Sequence, residues 1–196
     1  MYTFSEWRLS RRTNKGQLTI RAMGDNDLGR FTLAANHPTI LAWQGWAAND
    51  LLSLEEQRHL RMVLRGDDPG DPVQWNSRLG AGFAGFVGDD YVGGVITDEP
   101  TGDEALVGGP ESVSIGGNVC VGAQGRGIGP RLFARGIEHA LNDLGARAVV
   151  AACEATNLPC RSALTKAGMR EVRGPVERVL PNGRRVLQVW FRADQR

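Results

Sequence analysis

The chain is short of several things, and each shortage removes a class of function. Its three cysteines, Cys120, Cys153 and Cys160, are an odd number without metal-ligand spacing. That points away from a disulfide framework or a cysteine-held metal, and towards free thiols in a reducing compartment. No apolar run approaches the roughly 20 residues of a membrane span. The first residues, M-Y-T-F-S-E-W-R-L-S-R-R, lack the apolar core and small-residue cleavage site of a secretion signal, so a soluble cytoplasmic protein without a membrane partner is expected. Charge is balanced, with Lys+Arg 23 against Asp+Glu 22, so no overall field draws nucleic acid or an acidic partner. The 26 glycines scatter without a period, which excludes a repeat architecture. No Gly-Lys-Ser/Thr run exists, so there is no P-loop. Gly125-x-Gly127 has Pro130 where a dinucleotide fingerprint needs its third glycine.

What is present centres on Ser114 to Gly129, S-I-G-G-N-V-C-V-G-A-Q-G-R-G-I-G. An apolar, β-prone segment breaks at Gly122-Ala123 and becomes a glycine-rich loop that opens into a helical pattern. Unpaired N–H groups of a first helical turn and the helix dipole hold anions, and glycines let the backbone approach closely. The loop is therefore expected to grip the pyrophosphate of a nucleotide-like cofactor.

The length of 196 residues favours one domain with a proper core. Residues 1–16 read as an extension, and 17–196 as the domain. Residues 17–23 alternate at period 2 as a half-buried strand does. A turn at 24–27 leads into a helix over 28–35, stopped at His37-Pro38. Ser53-Leu-Glu-Glu56 is a capping box for a helix over 54–65, followed by a turn-rich loop, 66–72. Residues 83–87 and 91–97 form a hairpin, 98–110 an acidic surface loop, and 111–121 the strand before the glycine loop. Leu132, Phe133, Ile137, Ala140, Leu141 and Leu144 recur at helical spacing over 130–144, with Gly145 as cap. A buried strand over 147–153, a short helix over 159–167 and a hairpin of 176–180 with 184–191 around Asn182-Gly183 complete the chain. This order predicts an α+β fold, a mixed and mostly antiparallel central sheet flanked by helices, with one parallel step through the helix 130–144.

Gln124, Gly127 and Gly129 match Q/R-x-x-G-x-G/A, and the loop resembles the acetyl-CoA loop of the GNAT superfamily of N-acyltransferases. Leu18 to Ala22, Asp27-Leu28, His37-Pro38, Trp43 to Trp46, Tyr91 to Ile96, Ile115-Gly116, Asn157 and Gly168-Met169 are similar, in order and approximate spacing, to the branch of ribosomal-protein N-terminal acetyltransferases of the Rim type. The resemblance implies a sheet splayed open between two central strands with acetyl-CoA in the gap. It implies that Val119 and Val121 offer backbone groups to the pantetheine, and that Asn157 hydrogen-bonds it. The amides of Gln124, Gly125, Arg126, Gly127, Ile128 and Gly129 would cradle the pyrophosphate, with Arg126, Arg131 or Arg135 reaching the phosphates. A homodimer is implied by the same resemblance.

Departures from the pattern bear on mechanism. Leu164 stands where many members carry a tyrosine acid, Cys160 where the Rim branch often has serine, and Ser114 where it has a strand glutamate. Cys160 is then the candidate proton donor to the leaving thiolate, and Glu111, Glu99 or Glu177 the candidate base. A site without a strong base favours amines already partly neutral. A lysine-like amine is neutral about once in 2,500 molecules at pH 7, a handicap of roughly 4–5 kcal/mol, whereas an α-amine is about 10–20% neutral. The expected activity is acetyl-CoA-dependent acetylation of a primary amine by direct attack, on a peptide or protein N-terminus or a small amino compound. Trp43, Trp46 and Trp75 are candidates for the acceptor pocket; His37 falls in a turn, His59 in an exposed helix pattern and His139 on the helix after the loop, and none is expected to be catalytic. An aminoglycoside acceptor is the runner-up, weakened by Ala152 where such relatives carry an aspartate. A GNAT fold that binds CoA without ordinary acetylation, as a regulatory module or a modifier of nucleic acid, is the second alternative.

Overall fold

The computed structural model describes residues 16–44, 82–180 and 182–195. In chain order they form β1 (Leu18–Ala22), α1 (Asp25–Ala35), α2 (Pro38–Gln44), β2 (Gly82–Val87), β3 (Asp90–Asp98), α3 (Gly102–Gly108) and β4 (Ser112–Val119). There follow α4 (Ile128–Glu138), β5 (Ala148–Glu154), α5 (Leu158–Lys166), β6 (Arg170–Val179) and β7 (Arg185–Asp194). They make one seven-stranded sheet in the order β1-β2-β3-β4-β5-β7-β6. Every neighbouring pair is antiparallel except β4–β5, the parallel step that α4 connects. The mixed α+β sheet expected from the sequence is the one observed.

The parallel step is short. Ser112, Val113 and Ser114 pair with Ala148, Val149 and Val150, and the ladder stops there. Beyond it Ile115 to Val119 pair only with β3, and Ala151 to Glu154 only with β7. The two central strands therefore diverge towards their C-terminal ends. The helix α4 covers β2, β3 and β4 with Ile128, Leu132, Phe133 and Ile137, the apolar stripe legible in the sequence. Leu132 is fully buried, as are Val149 and Val150 of β5, and each contributes about 1.5–3 kcal/mol of apolar burial. Helix α1 lies near β3 and β4, and the buried Asp27 anchors it. The Asp27 carboxylate accepts the Gly24 N–H at 2.9 Å and pairs with Arg21 at 2.6 Å and Arg30 at 3.2 Å.

Three local readings need correction. The stretch 98–110 is not a loop throughout but carries α3, a single short helix between glycines that packs near β5 while Leu106 stays exposed. Arg192 fixes its end by donating to the Val107 and Gly108 carbonyls at 2.7 and 3.0 Å. His37-Pro38 ends one helix and starts another, because Pro38 sits in a first turn where its missing N–H is not needed. The closing hairpin is longer than expected. Strand β6 starts at Arg170, its register broken on both sides of Arg173, and Gly174-Pro175, which sits within it, reads as a breaker. The predicted helix 54–65, the loop 66–72, Trp46, His59, Trp75 and residues 1–15 of the expected extension lie outside the described residues.

Candidate functional site

The divergence of β4 and β5 opens a cavity of about 580 Å³. Its first wall is the free edge of β4. Cys120 N–H donates to the Val92 carbonyl at 3.0 Å, so along the antiparallel β3–β4 ladder the backbone groups of Val119 and Gly117 face the opposite side, into the gap. No strand among the described residues pairs with that edge beyond Ser114. An extended chain bearing amides fits such an edge as a missing strand would. Glycines keep the wall thin: Gly94, Gly116 and Gly117 all line the cavity. A Cβ on Gly117 would come within 2.6 Å of the Gly94 carbonyl oxygen, so no side chain is accommodated there.

The second wall is the glycine loop. Gln124, Gly125, Gly127, Ile128 and Gly129 line the cavity. Gly127 caps α4 in the left-handed region at φ 74, a conformation that strains residues with a Cβ. The N–H groups of Ile128 and Gly129 then lie in the unpaired first turn, and Pro130, third in the helix, removes a donor that had no helical partner. The Gln124 side chain turns back and donates to the Val119 carbonyl at 3.2 Å. Val119 is thus left with its N–H, not its carbonyl, for a ligand. Arg126 and Val121 are exposed and do not line the cavity. Arg135 is turned away, stacked 4.6 Å over Phe83 and paired with Glu138. Among the described residues the cation that lines the cavity is Lys166, in the last turn of α5, which the sequence pattern did not single out.

The third wall comes from the end of β5 and the start of α5. Asn157 caps α5, its Oδ1 accepting the Cys160 N–H at 3.1 Å, which leaves its Nδ2 to donate elsewhere. Cys153 and Cys160 both line the cavity. The influence of each thiol on the other lowers Cys160 from its ordinary value and, with burial, raises Cys153. Glu154, the last residue of β5, also lines the cavity. Its Oε2 lies 2.8 Å from Arg184 in an ion pair too poorly aligned for a hydrogen bond, and Thr156 donates to its Oε1 at 2.5 Å. Arg184 also donates to the Ala42 carbonyl at 2.6 Å, tying the β6–β7 turn to α2. The signal for Glu154 was a carboxylate ending an otherwise apolar strand.

The far mouth is apolar and partly aromatic, formed by Ile40, Trp43, Leu180 and Val186. Asn118 faces this cavity with its Oδ1 buried and without a protein partner, an acceptor for a ligand N–H. Residues assigned from sequence to acid–base roles are mostly elsewhere. Glu111 stands just before β4, at the opposite end of the strand, paired with Arg147 at 2.5 Å. Glu177 pairs with Arg185, and Glu99 lies in the exposed stretch after β3. His139 bonds Asp143 at 2.6 Å and touches the Phe83 ring, and Leu164 is wholly buried. At Ser114 the hydroxyl donates to Glu104 of α3 at 2.8 Å. Burial is the main cause that raises the Glu104 carboxyl, with Asp98 adding to it against the Ser114 bond.

Comparison with known proteins agrees with this geometry. A family model described as an acetyltransferase (GNAT) domain matches residues 17–170. No curated protein matches by sequence. Among solved structures, the spermidine N-acetyltransferase of Vibrio cholerae in complex with CoA and spermine is 18% identical at a TM-score of 0.69, over 91% of this chain and 96% of that one. The ribosomal-protein-S5-alanine acetyltransferase of Vibrio fischeri is 15% identical at 0.69, over 91% and 93%. An aminoglycoside acetyltransferase in complex with coenzyme A is 17% identical at 0.63, over 91% and 95%.

Proposed function

Because the chain belongs to the GNAT acetyltransferase family, and is an N-acetyltransferase that uses acetyl-CoA, we propose that its acceptor is a primary amine of low pKa, a peptide or protein N-terminal α-amine or a small amino compound. One observation carries this reading: among the described residues lining the cavity there is no histidine, and the one carboxylate, Glu154, is engaged by Arg184 and Thr156. An acceptor must then arrive with an appreciable neutral fraction of its own, which an α-amine has and a lysine side chain lacks. The thioester of acetyl-CoA supplies the activated acetyl group. The loop N–H groups of Ile128 and Gly129 bind pyrophosphate, the edge of β4 at Gly117 and Val119 with Asn157 aligns the pantetheine, and the apolar mouth at Ile40 and Trp43 strips water from the amine. Rate enhancement comes mainly from that positioning. Neutralisation of Glu154 by Arg184 also weakens the attraction for a polycation of the aminoglycoside type.

The reading is tested by mass-spectrometric competition between peptides with a free N-terminus, the same peptides blocked at the N-terminus but bearing lysine, and an aminoglycoside. Acetyl transfer to the free α-amine is expected, with a rate that rises with pH through the α-amine range of about 7.7–8.0. Faster transfer to lysine or to the aminoglycoside would overturn it.

A further inference from the structure

The two faces of β4 look to different sides of the sheet. A Cβ on Gly117 would meet Val95, and both Val95 and Ile115 reach the Cβ position of Gly136 in α4, so Ile115 and Gly117 face α4. Gly116 and Asn118 face the other way, towards α1, where Asn118 Nδ2 donates to the Phe31 carbonyl at 3.5 Å. Ile40 and Trp43 of α2, the helix that follows α1, line the same cavity as Asn118. Glycines make a hollow around this side chain. Gly94 is its partner across the β3–β4 ladder, and Gly116 is its neighbour on the same face, two residues back. A Cβ on Gly116 would meet nothing within 4 Å, so the space beside the Asn118 amide is open.

Among the described polar side chains that line the cavity, Asn118 is the one more than nine-tenths buried, at 7% exposure, and its Oδ1 has no partner. Turning the amide over does not relieve this. A carbonyl only accepts, so the nitrogen end must face Phe31 and the oxygen end is left over. A buried oxygen without a donor is unfavourable, and a ligand N–H relieves it.

We propose that Asn118 Oδ1 receives one N–H of the attacking amine and thereby selects a primary amine over a secondary one; that the donor is the acceptor amine rests on the function proposed above. In that reading the pantetheine lies along the edge of β4 at Gly117 and Val119, the residues on either side of Asn118. A neutral primary amine brings a lone pair and two N–H groups. The lone pair forms the C–N bond, the C–S bond breaks with its electrons on sulfur, and one N–H proton is released to water. The other N–H remains in the product amide and stays on Asn118 throughout. Because the nitrogen becomes positive as the bond forms, its N–H becomes a stronger donor, and the contact tightens in the transition state. A secondary amine has a single N–H, which the reaction must remove, so it cannot keep this contact to the end.

The probes are a peptide beginning with alanine and the same peptide beginning with N-methylalanine, acetylated with acetyl-CoA and followed by mass spectrometry. Wild type is expected to prefer the primary amine by about 20-fold in kcat/KM, the worth of one buried hydrogen bond. Asn118→Leu, similar in size but without the oxygen, is expected to lower kcat for the alanyl peptide about 20-fold and to bring the preference close to unity. Its acetyl-CoA affinity by calorimetry should match wild type. A side chain that only supported α1 would slow both peptides alike and leave the preference intact. Asn118→Asp keeps an acceptor oxygen and is expected to retain the preference, which covers the case of a Leu variant that does not fold. A wild type that acetylates both peptides equally, an Asn118→Leu protein that keeps the wild-type preference, or an Asn118→Asp protein that loses it overturns the proposal. If only a lysine side chain is acetylated, the α-amine reading fails, and Asn118 is judged by the same criteria on the lysine peptide against its Nε-methyl-lysine counterpart.

Discussion

The two halves of β4 are neighbours in one strand, yet they do opposite things. From Ser112 to Ser114 the strand is paired with β5, at Ser114 with β3 as well, and its side chains are buried. From Gly116 to Val119 it keeps β3 and loses β5, and glycines replace side chains. The closed half positions the strands; the open half exposes backbone donors and acceptors that a sheet would normally consume. An unpaired edge is thus made by stopping a ladder early, and the loop at its end adds the N–H groups of a helix start. In the proposed function an amide-bearing ligand completes that edge.

The largest break in this contrast is expected from Gly127→Trp. A Cβ there meets nothing within 4 Å, so the fold persists, weakened only by the left-handed φ, while the indole fills the space in front of the loop. Acetyl-CoA affinity should fall on the order of 100-fold, about 2.7 kcal/mol, by calorimetry, with a melting temperature somewhat below wild type. Gly117→Val attacks the open half of the strand itself. With the Gly94 oxygen 2.6 Å and Val95 Cγ1 2.7 Å from the new Cβ, overpacking should cost about 3 kcal/mol in urea unfolding.

Asp27→Asn is the control far from the open edge. It removes the charge that Arg21 and Arg30 share and should cost about 2 kcal/mol of stability while leaving acetyl-CoA affinity unchanged. Its pH signature has a definite sign. Burial raises the Asp27 carboxyl, but the Arg21 bond, the Gly24 N–H and the two arginine charges outweigh it and hold the group below its ordinary value. The stabilisation is therefore complete above the unfolded carboxylate range and is lost as pH falls through the lowered folded value, a slope the Asn variant should lack. Glu104→Gln gives the smallest effect, at the last closed rung. Burial raises this carboxyl in the fold, so stability declines as pH rises from the unfolded to the folded value. Gln keeps the bond to Ser114 without the charge, and should add about 0.5 kcal/mol at neutral pH by thermal unfolding.

The sheet, its parallel step and the glycine loop were legible because each rests on local chemistry: alternation in β1, an apolar stripe in α4, and glycines before a helix start. Helix α3 was not, since seven residues flanked by glycine look like a loop until β5 and Arg192 hold them. The placement of Glu111 misled for a different reason. It immediately precedes the right strand, but the cavity opens at that strand's other end, and which end opens depends on where β5 stops pairing. The pairing of Glu154 with Arg184 and the capping of α5 by Asn157 arise from a turn, a hairpin return and a helix start acting together, and no single stretch carries them.

Amide hydrogen exchange with and without acetyl-CoA tests the central claim most directly, because it reads both halves of β4 at once. The account predicts slowed exchange at Gly117 and Val119 and at Ile128 and Gly129, with Ser112 to Ser114 unchanged. Binding of acetyl-CoA that leaves the open half and the loop unprotected would contradict it.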